Sequence, residues 1–157
     1  MRTISFPVLT EFKIVIPTKG LCKALDSIRK AIDRLRRRVC FANVPAGVGA
    51  LHVVPFRGDL WTAHAHLVVE ACDVIDIDGD LDEWEVEVND QFRNLTNGCG
   101  TFSVAPNNLT VGVPMRMARY ICKAETCAPA PGSYSLDQLD ALLVALHKRH
   151  LGIHWGA

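Results

Sequence analysis

Two strand-like runs separated by only two residues constrain the fold of this chain more than any other feature. The runs are 50–57 and 60–71, both rich in β-branched and other apolar residues, and Gly58-Asp59 lies between them. A two-residue connection that begins with glycine is typical of the tight turn between adjacent antiparallel strands. The sequence therefore predicts a β-hairpin over these residues.

The segment before the hairpin predicts a strand followed by a helix. Residues 11–18 are rich in β-branched residues and end next to Pro17, which is typical of a strand. Apolar residues then recur at alternating spacings of four and three, which predicts a helix of about five turns. That stripe consists of Leu21, Leu25, Ile28, Ile32, Leu35 and Val39. The stretch 45–49 contains proline and glycine and is expected to be a loop.

The segment after the hairpin adds further elements. Trp84, Val88, Phe92 and Leu95 recur at helical spacing, so we expect a helix that ends at Asn97-Gly98, although 83–88 also alternates like a strand. A strand is expected over 101–105 and a helix over 114–124. A last helix is expected over 136–151, because Ser135-x-x-Gln138 forms a capping box. The order β-α-β-β-α-β predicts an α+β fold of the ferredoxin-like, split βαβ type, with helices on one face of an antiparallel sheet.

The composition predicts a single domain over 1–157 that needs no membrane. The chain has 17 basic and 17 acidic side chains, and none of its apolar runs approaches the ~20 residues of a membrane span. No hydrophobic leader opens the sequence, so we expect a cytoplasmic protein whose six cysteines are reduced. Two of the cysteines could instead form a zinc site with two histidines; the four residues are Cys122, Cys127, His147 and His150.

Two histidines lie two residues apart on the second strand of the hairpin. His64 and His66 alternate with alanine and leucine, and side chains two residues apart on a strand project from the same face. His52 lies on the neighbouring strand, and the hairpin can bring its imidazole beside the pair. Three imidazoles on one face are costly to bury, and a metal ion removes that cost. The spacing can also be a coincidence in which one histidine is a hydrogen-bonded core residue.

A tyrosine with several cations lies in the segment 116–123. On a helix, Lys123 lies three residues after Tyr120 and Arg116 lies four residues before it, so the phenol and the cations share one face, with Arg119 adjacent. Positive charge lowers the pKa of a phenol from about 10 and favours attack of its oxygen on phosphorus. The alternative is a half-buried tyrosine with solvated basic neighbours.

Taken in this order, the histidine and tyrosine motifs resemble the HUH endonuclease superfamily, specifically the rolling-circle replication initiators of small plasmids and phages. The family's histidine motif is similar to residues 63–69 (AHAHLVV), and its tyrosine motif is similar to residues 118–123 (ARYICK). No second tyrosine lies near Tyr120, so the resemblance is to the single-tyrosine type. Relatives often have a glutamate as third metal ligand at the position of His52, and the relaxase branch uses a third histidine.

This resemblance implies a nuclease that nicks and rejoins single-stranded DNA through a 5′-phosphotyrosine. Tyr120 would be the nucleophile, carried on a helix near the metal site, and Lys123 would neutralise the phosphate or help to ionise the phenol. The implied metal ligands are His52, His64 and His66, and the implied cofactor is Mn²⁺ or Mg²⁺. The implied partners are single-stranded DNA or an origin hairpin and a host or element-encoded helicase.

The basic residues between 23 and 38 are the predicted phosphate contacts of the first helix. Seven cations stand here against Asp26 and Asp33, whereas residues 70–90 include ten acidic side chains and no basic one. The predicted DNA-binding residues are Lys30, Arg34, Arg37, Arg116 and Arg119. A solvated helix face is the alternative for such a run of charges. At the level of the whole protein, the alternatives are a relaxase- or transposase-type nuclease and a non-catalytic nucleic-acid-binding module of RNA-recognition shape.

Overall fold

The computed structural model describes residues 5–72, 80–104 and 135–156. Five strands and three α-helices lie within these ranges. The strands are β1 (Ser5–Pro17), β2 (Ala46–Arg57), β3 (Leu60–Cys72), β4 (Gly100–Val104) and β5 (Gly152–Trp155). The helices are α1 (Leu21–Leu35), α2 (Asp80–Leu95) and α3 (Leu136–Leu146), with short 3₁₀ segments at Thr18–Gly20 and Val39–Phe41. None of the helices in the described ranges is long and apolar enough to cross a membrane.

The strands form one antiparallel sheet in the order β4-β1-β3-β2-β5. The predicted hairpin is confirmed: β2 and β3 are joined by Gly58-Asp59, and Gly58 has the positive φ (54°) that such a turn requires. Strand β1 pairs with the other edge of β3 along its whole length, from Ser5 opposite Cys72 to Pro17 opposite Leu60. The structure is therefore α+β with a five-stranded antiparallel sheet, and it is compatible with a ferredoxin-like fold.

One face of the sheet forms the hydrophobic core. Every second residue of β3 is fully buried on this face, namely Ala63, Ala65, Leu67 and Val69. Helix α1 packs against β1 and β3 through its apolar stripe, which is buried from Leu21 to Leu35. Helix α2 packs against β4 and buries Trp84, Val88 and Phe92, which confirms the helical interpretation of this segment. The cost of exposing these side chains to water fixes which face of each strand points inward.

Helix α1 is shorter than its apolar stripe predicts. The helix ends at Leu35, and Val39 is 88% exposed instead of continuing the stripe. The 3₁₀ turn that follows places Phe41 in the core, where its ring lies 5.6 Å from that of Trp84 and 6.3 Å from that of Trp155. Burying the larger aromatic ring removes more apolar surface from water than burying Val39 would.

The expectation of a loop at 45–49 is wrong, because β2 begins at Ala46. Gly47 and Gly49 are part of the strand, and other groups occupy the space where their side chains would be. A Cβ at Gly47 would lie 2.3 Å from the indole of Trp155, and a Cβ at Gly49 would lie 1.9 Å from the carbonyl oxygen of His66. Glycine is required here for close approach inside a sheet rather than for a turn.

The last predicted helix is also shorter than expected. The capping box is confirmed, since Ser135 and Gln138 exchange side-chain and backbone hydrogen bonds, but α3 ends at Leu146. The C-cap residue His147 has an extended ψ (122°), which ends the helical path, and Lys148 follows with a positive φ (51°). Residues 152–155 instead form β5 on the outer edge of β2, and Arg29 of α1 donates hydrogen bonds to the carbonyls of His150 and Gly152. The helix expected over 114–124 lies outside the described residues.

Candidate metal centre

A polar cluster lies on the face of the sheet opposite to helix α1. His64 and His66 alternate with the buried alanines of β3, so their side chains project from the other face. The register of the hairpin places His52 directly opposite His64, and the register of β1 places Glu11 directly opposite His66. Three neighbouring strands therefore bring together four side chains, each of which can bind a metal.

The carboxylate of Glu11 contacts both histidines of β3. Its Oε2 lies 3.0 Å from Nε2 of His66, and its Oε1 lies 3.8 Å from Nδ1 of His64. Each of the three residues offers a ligand atom, and these atoms lie within 4.8 Å of one another. Glu11, His64 and His66 therefore form a candidate metal-binding triad of two imidazoles and one carboxylate.

The electrostatics of the cluster keep Glu11 ionised. The imidazoles of His64 and His66, which face its two oxygens, hold the pKa of the Glu11 carboxyl well below its ordinary value, although partial burial opposes this shift. An ionised carboxylate is the form that binds a cation. The triad therefore carries a net negative charge, located on Glu11, whenever both imidazoles are neutral.

His52 lies beside the triad and is almost completely buried. Its ring centroid lies 5.6 Å from that of His64 and 5.4 Å from that of His66, and the side chain is 2% exposed. Burial, together with the nearby charge of His66 and His64 when these are protonated, lowers the pKa of His52 from 6.5 to about 4. His52 is therefore neutral at pH 7, which is the state in which an imidazole can coordinate a metal.

The second ring nitrogen of His64, which does not face Glu11, also favours a bound metal. The Nε2 atom of His64 is buried and has no hydrogen-bond partner in the part of the chain that the structure describes. A buried ring nitrogen without a partner carries a desolvation cost, and coordination to a cation removes it. The two imidazoles and the carboxylate are also a donor set that divalent metals accept. The residues present therefore fit a divalent ion.

The structure brings His52, His64 and His66 together, as the hairpin predicts, and adds Glu11, which the sequence analysis did not identify. Glu11 is the polar member of an alternating run, with Phe12 and Ile14 directed to the core. This alternation indicates that the side chain of Glu11 projects away from the core, but it does not indicate which residue of β3 lies opposite Glu11. The zinc alternative and the tyrosine motif include residues that lie outside the described ranges: Arg116, Arg119, Tyr120, Cys122, Lys123 and Cys127.

The predicted phosphate contacts of helix α1 lie away from this cluster. Lys30, Arg34 and Arg37 are exposed on the side of the sheet that the helices cover, whereas the histidines project from the other side. The basic face of α1 and the metal centre are therefore separated by the thickness of the sheet and the helix.

Comparison with known proteins identifies no relative: no family model, no curated protein and no solved structure matches the chain. Within the described ranges, the Glu11, His64 and His66 triad with the adjacent His52 is the group that could hold a metal ion.

Proposed function

We propose that this chain is a metal-dependent HUH-type nuclease that nicks and rejoins single-stranded DNA. The observation that carries the proposal is the convergence of Glu11, His64 and His66 beside His52 on one face of an antiparallel sheet. A histidine pair on the second strand of a hairpin, completed by a neighbouring strand, is what the resemblance to this superfamily requires. The proposed fold is the split βαβ arrangement, with the helix that carries Tyr120 near the metal.

In this proposal Glu11, His64 and His66 hold a divalent ion, and His52 lies close enough to add a third imidazole. When bound, the ion polarises the scissile phosphate and stabilises the negative charge that develops there. Imidazole ligands favour Mn²⁺ over Mg²⁺, whereas the carboxylate accepts both. The proposed cofactor is therefore Mn²⁺ or Mg²⁺.

The covalent chemistry belongs to Tyr120 in this proposal. Its phenol oxygen attacks the phosphorus in line, the bond from phosphorus to the 3′ oxygen breaks, and that oxygen leaves as a hydroxyl after taking up a proton. The 5′ phosphate remains attached to the tyrosine. Lys123 neutralises the phosphate or helps to remove the phenolic proton. Attack by a 3′ hydroxyl on the phosphotyrosine reverses the reaction and rejoins the strand.

The proposed role in the cell is initiation of rolling-circle replication in the cytoplasm. Such an enzyme acts on a single strand or on an extruded origin hairpin, because its nucleophile must reach an unpaired backbone. In this proposal a helicase of the host or of the element separates the strands. Relaxases and transposases use the same chemistry, so the tyrosine-linked intermediate is the shared and testable property.

A covalent-adduct assay tests the proposal. The protein is incubated with a panel of labelled single-stranded oligonucleotides and Mn²⁺, and denaturing gels are scored for DNA that migrates with the protein. We expect an adduct that Tyr120→Phe abolishes, because only the attacking oxygen is removed, while Mn²⁺ still stabilises the variant. The chain's other tyrosine provides the matched control, Tyr134→Phe, which should retain the adduct.

One result would contradict the role of Tyr120, and another would contradict the nuclease function. An adduct that persists in Tyr120→Phe would assign the nucleophile elsewhere. A protein that binds Mn²⁺ and the oligonucleotides but never forms an adduct would indicate the non-catalytic nucleic-acid-binding module instead.

A further inference from the structure

Helix α1 has two sharply different faces. Its apolar face is buried in the core, where Leu25, Ile28 and Leu35 have no exposed surface. Its outer face is exposed and polar, and it carries most of the basic residues of this segment. A helix with this division is anchored by one face and free to bind through the other.

The acidic residues of α1 are already paired. Asp26 binds Arg149, which follows helix α3, and Asp33 lies 3.3 Å from Arg36. Of the remaining cations, Arg29 binds the carbonyls of His150 and Gly152, and Arg38 donates a hydrogen bond to Gln91 of α2. These contacts hold α1 to its neighbours and leave a different set of cations at the surface.

That set is a row of four exposed cations, which we call the basic stripe: Lys23, Lys30, Arg34 and Arg37. None of them forms an ion pair with a residue in the described ranges. Lys23, Lys30 and Arg34 are spaced by seven and four residues, which places them along one side of α1, and Arg37 lies in the turn that follows the helix. From Lys23 to Arg34 the row extends about 16 Å at the rise of an α-helix.

The basic stripe is remote from the metal centre. Helix α1 packs on the face of β3 that carries Ala63 and Ala65, whereas His64 and His66 project from the opposite face. A sheet and a helix lie about 10 Å apart, and the outer face of the helix lies a further ~5 Å away. A strand bound for cleavage at the histidines therefore cannot be held at the same point by the basic stripe.

We propose that the basic stripe is a second binding surface, for the phosphate backbone of double-stranded nucleic acid. A linear row of exposed lysines and arginines along a helix and the turn after it complements a row of phosphates. Helix α1 contains no aromatic residue on which unpaired bases could stack, which favours a duplex over a single strand. Its apolar face is buried, so it has nothing to insert into a lipid surface, which argues against a membrane.

The neighbouring helix limits this surface to α1. Exposed side chains of α2 are mainly acidic, namely Asp82, Glu83, Glu87 and Asp90. These carboxylates repel a polyanion, so the duplex is expected to follow the row on α1 rather than spread over both helices. This proposal goes beyond the nuclease function and does not depend on it, since it uses neither the metal nor Tyr120.

Salt-dependent binding to a duplex tests the proposal. The probe is a labelled double-stranded oligonucleotide, and its affinity is measured between low and moderate salt for the full chain and for Lys30→Gln/Arg34→Gln/Arg37→Gln. Each lost phosphate contact flattens the plot of log affinity against log salt by about 0.9 for a duplex. We expect the triple variant to reduce the slope by about two to three units and to bind at least about tenfold more weakly at low salt.

The matched control removes the same charge elsewhere. Arg57→Gln/Arg93→Gln/Lys148→Gln changes three exposed cations that lie outside α1, and it should keep the slope of the unmodified protein. Urea unfolding in the presence of a chelator should give the same free energy of unfolding for all three proteins, which shows that the triple variant is folded. Because this control needs no metal, the test is separate from that of the nuclease function.

An unchanged salt slope in the triple variant would overturn the proposal, as would an equal loss in the control. Binding to vesicles of phosphatidylserine that requires the basic stripe, without binding to the duplex, would also overturn it and assign the surface to anionic lipid.

Discussion

The helix side of strand β3 is apolar and completely buried, whereas its other side is largely polar and only partly buried. On the helix side, Ala63 and Ala65 are fully buried among apolar neighbours. On the other side, Thr62 and His66 are 7% and 4% exposed, yet they are polar. Apolar burial stabilises a fold directly, whereas buried polar groups are costly unless they have partners. One face therefore provides stability, and the other places ligands for a metal at some cost to it.

The largest expected effect comes from cutting a side chain on the helix side. Phe12 is fully buried, and its ring lies 4.9 Å from that of Phe92 and 4.7 Å from that of Phe102. We expect Phe12→Ala to lower the free energy of unfolding by about 3–5 kcal/mol, because it leaves a cavity between these rings. Urea unfolding in the presence of a chelator measures this.

The matched change on the other face is His64→Ala. In metal-free protein it should change the free energy of unfolding by less than about 1 kcal/mol, because it removes one of three crowded imidazoles along with its contacts. If His64→Ala destabilises the protein as much as Phe12→Ala does, the histidine face also contributes strongly to stability, and the contrast between the two faces is wrong.

Acidification is expected to act on the histidine face with the next largest effect. The unfolded chain binds a proton at His52 near pH 6.5, whereas the folded protein binds it only near its pKa of about 4. The unfolded state therefore takes up this proton first, and the free energy of unfolding falls as the pH decreases from about 6.5 to about 4. The full loss from this residue is about 3 kcal/mol.

Chelator-treated protein, unfolded in urea at a series of pH values, shows whether this is correct. Glu11 acts in the same direction at lower pH, because its lowered pKa stabilises the folded state only while the carboxyl is ionised. His52→Gln should flatten the curve between pH 6.5 and 4. A curve that keeps its slope in this variant would assign the pH dependence to other groups.

A smaller effect than that of acidification, on the affinity for Mn²⁺, distinguishes Glu11 from His52 as the third ligand. Glu11→Gln removes the anionic oxygen that faces both histidines, so we expect Mn²⁺ to bind at least about tenfold more weakly, which is about 1.4 kcal/mol. The rise in melting temperature on titration with Mn²⁺ measures it. Glu70→Gln, an exposed carboxylate on the same strand as the histidines, is the control and should titrate normally.

Wild-type Mn²⁺ affinity in Glu11→Gln, combined with a large loss in His52→Gln, would show that His52 completes the ligand set as the hairpin motif alone suggests. Loss in both variants would indicate that the three imidazoles and the carboxylate act together.

Local patterns predicted much of the fold. The hairpin at Gly58-Asp59 and the capping box of Ser135 and Gln138 are confirmed, because each depends on residues that are neighbours in sequence. The helix through Trp84 and Val88 is confirmed over a competing strand pattern. Its apolar residues match a helical period over about three turns, whereas the strand-like alternation covers only six residues.

The features of the fold and of the metal centre that the sequence did not reveal depend on contacts between residues that are far apart in the chain. Gly47 suggests a loop until Trp155 is known to occupy the space beside it. Glu11 is an ordinary polar residue of a strand until the pairing of β1 with β3 places it opposite His66. The histidines could be grouped from sequence because a two-residue turn determines their register, whereas no local feature determines the register of β1.

The pairing of β5 with β2 has a consequence for how the chain folds. Gly47 and Trp155 are directly opposite each other although about a hundred residues separate them in sequence. Closing so large a loop costs more entropy than closing the hairpin, so this pairing is expected to form late. Until then β2 presents an unprotected edge beside the histidines, with Val48 exposed, and such an edge recruits other chains. Refolding at high protein concentration is therefore expected to lose material to aggregation before the sheet is complete.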